Sequence, residues 1–138
     1  MKRIRGEGQN EIKNALTGVA RFYDRRKVGD VGSLGFRRSS DLTRLASCLP
    51  ALVEKGTLRP GSTLFLDMGC GDGRVNLLLS YLVKKSVGIE LDEWTLDGYI
   101  PLRRDLETRL KSESLSPSPR TISPSFTAIL WTNHYMKG

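Results

Sequence analysis

The chain has 138 residues, a formal net charge of +7, 38% hydrophobic and 27% charged residues, which fits one globular domain or part of one. No apolar run approaches the ~20 residues a membrane span needs, and the basic N-terminus lacks the apolar segment of a secretory signal. Two cysteines and one histidine exclude a disulfide framework and a His/Cys metal centre, and suit a reducing cytoplasm.

The positive charge is uneven: residues 1–60 carry 13 Lys and Arg against 6 Asp and Glu, residues 61–111 carry 7 against 8, and residues 112–138 carry 2 against 1. A basic N-terminal segment attracts polyanions, nucleic acid among them, or is simply a solvated face.

Residues 1–9 read as a terminal arm. Asn10 is placed to cap a helix to about Tyr23, with Ile12, Leu16, Val19, Ala20 and Tyr23 near one face. Val28 to Phe36, with three glycines, reads as an irregular loop. Ser39 or Ser40 is expected to cap a second helix, with Asp41 in its first turn and a stripe of Leu42, Leu45, Ala46, Leu49, Leu52 and Val53. Pro50 predicts a kink or restart there. Cys48 is expected to be a small core residue. Gly56 ends the helix, and Arg59–Ser62 turns into the next element.

The most informative stretch comes next. Leu64-Phe65-Leu66 leads to Asp67, and glycines follow at 69, 71 and 73. The pattern predicts a buried strand over Thr63–Asp67, a tight glycine turn, and a helix over Val75–Val83 closed by Lys84 and Lys85. Ser86–Glu90 reads as a second strand ending in an acid. A helix from Asp92 to Lys111 is expected to break near Gly98 and Pro101. Strand, loop, helix, strand and helix form the first half of a parallel α/β sheet, in which ligands bind at the carboxyl ends of the strands. Asp67, the glycines and Glu90 all fall at that edge.

The loop misses the G-x-G-x-x-G dinucleotide pattern and lacks the Gly-Lys-Ser/Thr ending of a phosphate loop. A carboxylate at Asp67 repels a diphosphate and favours a ligand bearing an ammonium or sulfonium charge. The run Leu66-Asp67-Met68-Gly69-Cys70-Gly71-Asp72-Gly73, followed after 17 residues by Glu90, resembles the class I S-adenosylmethionine-dependent methyltransferases.

That resemblance implies a Rossmann-like parallel sheet with flanking helices and S-adenosyl-L-methionine as cofactor. It implies a cofactor site of Asp67, Gly69, Cys70, Gly71, Gly73, Glu90, Leu91 and Asp92. Asp67 would order the methionine amino end, Glu90 would accept from both ribose hydroxyls, and Leu91 and Asp92 would lie near the adenine. Asp72 is either a helix cap or a cofactor contact, and Trp94 either core or an adenine flank. Gly32–Ser40 lies where the family places a lid, with Phe36 its candidate. The methyl acceptor, whether small molecule, protein or RNA, and the catalytic residues are not identified by any motif.

The resemblance covers residues 39–111, after a basic arm, helix and loop over 1–38. The family's full sheet has seven strands, so the fold is expected to be incomplete on its C-terminal side. From Ser112 the chain turns Ser/Pro-rich, with only Phe126–Trp131 strand-like. A reading-frame shift would account for that break: Trp131-Thr132 and Met136-Lys137 necessarily encode an acid in the frame that starts at the third nucleotide. The alternatives are a non-catalytic cofactor-binding module or fragment completed by a partner chain, and a basic nucleic-acid-binding protein.

Overall fold

The structure, a computed structural model, describes residues 2–26, 30–32, 35–37, 39–91, 93–114 and 126–130. Its elements are α1 (Lys2–Asp24), β1 (Asp30–Gly32), β2 (Gly35–Arg37), α2 (Leu42–Glu54), β3 (Leu64–Met68), α3 (Arg74–Leu79), β4 (Lys85–Glu90), α4 (Glu93–Ser112) and β5 (Phe126–Leu130). The protein is mixed α/β. No helix among the described residues is long and apolar enough to cross a membrane.

Two stretches read as irregular are ordered. α1 starts at Lys2 instead of Asn10, because Lys, Arg, Glu and Gln over 2–11 are good helix formers and outweigh Gly6 and Gly8. Within 28–36, β1 and β2 pair antiparallel, with Val31 opposite Phe36. The other parts of the expected lid over Gly32–Ser40 lie partly outside the described residues.

The start of α2 is held by two acids. Asp41, and not Ser39 or Ser40, is the N-cap: its carboxylate accepts from the Arg44 N–H at 3.0 Å. Asp24, the last residue of α1, accepts from the N–H groups of Leu42 (2.8 Å) and Thr43 (2.9 Å). One helix end thus supplies the acceptors that the next helix start lacks. α2 runs through Pro50 without a restart, its ring on the exposed side. α4 likewise runs through Gly98 and Pro101. Cys48 is exposed rather than in the core, since it lies at the border of the stripe set by Leu42, Leu45, Leu49 and Leu52. The helix ends in a Schellman arrangement: Gly56 at φ +74° donates to Val53 O, and Thr57 donates to Leu52 O.

The main sheet has the order β3-β4-β5, all parallel, with Leu66 beside Val87 and Gly88 beside Ala128. Successive parallel strands that step in one direction, joined by crossovers of one hand, carry their helices on one face. Accordingly α1, α2, α3 and α4 contribute to a single core that includes Val19, Tyr23, Leu42, Leu49, Leu78 and Leu106. Phe65, Asp67, Ser86 and Gly88 share the helix-covered face, while Leu64, Leu66 and Met68 face the other way.

That second face overturns the expectation of a buried strand. Leu64, Leu66 and Met68 are 70%, 56% and 78% exposed. β3 is an edge strand among the described residues, and nothing described covers its outer face. α3 is also shorter than expected. It stops at Leu79, residues 80–84 form turns, and Lys85 opens β4 instead of closing a helix. Tyr81, Leu82 and Val83 are buried in those turns, so their apolarity marks the core and not a continuing helix.

Candidate functional site

The site forms where β3 and β4 end, side by side. After Met68 the chain turns over the end of β4: the N–H groups of Gly69 (2.7 Å) and Cys70 (3.0 Å) both donate to Ile89 O. Gly69, Gly71 and Gly73 have φ of +86°, +58° and +75°, a region that side chains disfavour. A Cβ on Gly69 or Gly71 would meet no atom within 4 Å. The glycines there serve backbone conformation, and the outer side of the turn is open to a ligand.

Glu90 ties the turn to β4. Its Oε2 accepts from the Gly71 N–H at 2.8 Å, and its Oε1 accepts from the Leu91 N–H at 2.8 Å. Its two oxygens thus hold main-chain donors on either side of the strand end, one in the turn and one just after β4. Asp67 lies close enough to Glu90 for the two charges to repel. Its carboxyl is pushed above the usual range by burial first and by Glu90 second. The Asp67 carboxylate has no hydrogen-bond or ion-pair partner among the described residues. The edge therefore presents two acids with no cation set against Asp67, an arrangement that favours a positively charged group.

Cys70 points the opposite way. Its side chain is buried under the turn against Gly88, where a Cβ would lie 2.6 Å from Cys70 Sγ and 2.9 Å from Cys70 Cβ. Burial, then the charges of Asp67 and Glu90, push its thiol up to about 11, so it is protonated and unreactive at neutral pH. With its N–H on Ile89, Cys70 shapes the loop from beneath. Leu91 is 60% exposed at the site's rim. Asp92 lies outside the described residues, and Trp94 falls in the first turn of α4.

Asp72 resolves as an anchor. Its carboxylate takes the Arg74 N–H (3.2 Å) and both Nε and Nη2 of the Arg74 guanidinium (3.1 and 2.8 Å). Arg74 is 4% exposed. It also donates to Tyr23 O (3.3 Å), Ser40 O (3.5 Å) and Arg26 O (2.9 Å), and lies over the Tyr23 ring. This one side chain fastens the glycine turn to the end of α1 and the approach to α2. Sequence reasoning assigns no role to Arg74 or to Gly88. The available signals were an arginine opening a largely apolar helix and a glycine inside a strand.

No group of three or more His, Cys, Asp or Glu side chains among the described residues is arranged to hold a metal ion. No protein-family model matches the chain, and no curated protein matches it.

Proposed function

We propose that this chain is the S-adenosyl-L-methionine-binding half of a Rossmann-like class I methyltransferase, incomplete on its C-terminal side, working in the cytoplasm where Cys48 and Cys70 remain thiols. The observation that carries the reading is the pair Asp67 and Glu90, at the ends of adjacent parallel strands, flanking a glycine turn whose outer side is open. The residues fit the cofactor by their chemistry. Asp67 suits an ammonium group, Glu90 suits a pair of ribose hydroxyls, and Gly69 and Gly71 leave room for a ligand against the main chain. Leu91 offers an apolar edge at the rim. The bound cofactor would supply a methyl group on an activated sulfonium, and the chain's own residues would orient it. The methyl acceptor and the groups that receive it are not assigned.

A second reading is supported by the open face of β3: a cofactor-binding module without turnover, completed by a partner chain. Both readings require the same binding site, and the basic residues of α1 and α2 leave RNA among the acceptors or partners.

Calorimetric titration with S-adenosylhomocysteine tests the site. The wild-type protein is expected to bind saturably. Asp67→Asn and Glu90→Gln are each expected to weaken binding at least about tenfold, the loss of one charge-assisted contact. NAD, whose diphosphate meets two carboxylates, is expected not to compete. A folded protein that ignores S-adenosylhomocysteine, or that prefers NAD, overturns the reading.

A further inference from the structure

The outer edge of β3 has the same main-chain pattern whichever ligand the glycine turn holds. Thr63 O accepts from the Lys84 N–H at 2.8 Å, and the Gly69 N–H donates to Ile89 O at 2.7 Å. Both residues flank β3 and direct their main-chain groups at β4. In an extended strand the N–H and C=O of one residue point to the same side, and successive residues alternate. Residues 65 and 67 therefore face β4 as well, and the N–H and C=O groups of Leu64, Leu66 and Met68 face outward, away from the sheet.

Those same three residues carry the exposed side chains. Val87 and Ile89, on the same face of β4, are already half-buried. Among the described residues, the shortfall in burial and in hydrogen bonding thus lies on three residues of one edge, not across the sheet face. A strand laid beside β3 remedies both, because it pairs the main chain and gives each apolar side chain a cross-strand neighbour.

We infer that the occupant is β3 of a second copy of this chain, joined antiparallel about a two-fold axis through Leu66. In that register Leu66 lies opposite Leu66 of the second copy, and Leu64 lies opposite its Met68. Every outward N–H and C=O of Leu64, Leu66 and Met68 is then used. Asp67, the only charge on the strand, lies opposite Phe65 and not opposite another Asp67. A shift of two residues in either direction leaves one of the three residues unpaired. A parallel pairing of the same two edges turns the helix-covered faces of the two sheets to opposite sides, and in register it sets the outward groups of both strands in phase, whereas a parallel ladder needs them one residue out of step. The two-fold register satisfies the edge with no like charges opposed, and it joins two three-stranded sheets into one of six strands.

Sedimentation equilibrium is the first measurement. The expected mass is twice the 15.4 kDa chain at high concentration, falling toward the single-chain value on dilution. Leu66→Pro removes an N–H that faces only the second copy and leaves the ladder to β4 intact. It is expected to give a monomer with an unchanged far-ultraviolet spectrum. Cross-linking then tests the register in a Cys48→Ser background. Opposed residues of a hydrogen-bonded pair have Cα atoms ~5.5 Å apart, within disulfide reach. Leu66→Cys is expected to form a covalent dimer under mild oxidation. Leu64→Cys is expected not to, since four residues of offset put its two copies ~13 Å apart. A folded wild-type chain that stays monomeric at every concentration overturns the proposal. So do assemblies larger than two, or equal cross-linking at positions 64 and 66.

Discussion

Substitution of Gly88 by alanine tests how the glycine turn is seated. A Cβ at this position would lie 2.6 Å from Cys70 Sγ, 2.8 Å from Asn76 Oδ1 and 2.9 Å from Cys70 Cβ. Carbon contacts are comfortable at ~3.5–4.0 Å, so the neighbours must give by nearly an ångström. Neither can do so freely. Asn76 is fully buried and donates to Ser86 Oγ at 3.0 Å, while Ser86 Oγ donates back to Asn76 O at 2.9 Å. Cys70 is pinned through its N–H to Ile89 O. Overpacking of this kind costs ~1–3 kcal/mol, which for a chain of this size lowers Tm by roughly 3–12 °C. Thermal unfolding followed by circular dichroism reads the effect. The cause is isolated by Cys70→Gly, which removes two of the three close contacts. In the double variant, Gly88→Ala should cost less than in the parent, with a coupling of at least ~0.5 kcal/mol. A Tm for Gly88→Ala within about 1 °C of the parent, or two losses that simply add, would refute the packing account.

Asp67 predicts a trade of stability for binding. Its folded pKa is raised by burial and by Glu90, so the folded chain holds that proton more tightly than the unfolded chain. Stability is then fully present below the ordinary carboxylate pKa of ~3.9, falls as pH climbs from there to the raised value, and stays lowered at neutral pH. Asp67→Asn should therefore raise Tm at pH 7 relative to its effect near pH 3; a difference that does not change with pH contradicts this. Arg74→Met leaves the Asp72 carboxylate without its cation and removes the guanidinium donor from the Arg26 carbonyl. It should cost ~3 kcal/mol in urea unfolding, the low end for a broken buried pair, because Asp72 is 25% exposed. Arg74→Lys, which keeps the charge and loses the fork, should recover less than half of that; full recovery would show that only the charge matters.

The parts of the site that were legible in sequence are those that neighbouring residues determine. Glycines at 69, 71 and 73 after an acid specify a sharp turn, and an acid closing the next β-prone run lands beside it once the strands pair in parallel. What escaped reading depends on residues distant in the chain. Whether Leu64, Leu66 and Met68 are buried is decided by what lies beside them, which an apolar run does not state. The run from Leu77 to Val83 is apolar except at Ser80 because it is buried in both helix and turn, so it carries no period from which to locate the helix end. Gly88 answers to Cys70 across the sheet, and Arg74 to carbonyls on α1. The hairpin of β1 and β2 has strands of three residues, too short for an alternating pattern to register. The absence of breaks at Pro50 and Pro101 reflects a cost of one lost hydrogen bond each, absorbed by helices docked on the core.

Arg74 also bears on the order in which the protein assembles. Its link to Asp72 spans two residues, whereas its links to Tyr23 and Arg26 span 51 and 48. The local pair can form in a short stretch of chain, but the distant ones wait until α1 has docked and loop-closure entropy has been overcome. The glycine turn thus has a nascent form, clasped to its own aspartate, and a finished form, locked to the opening helix. Ligand affinity measured during refolding would mark the moment of docking, and an isolated peptide spanning the turn would stay at the nascent stage however well its glycines bend.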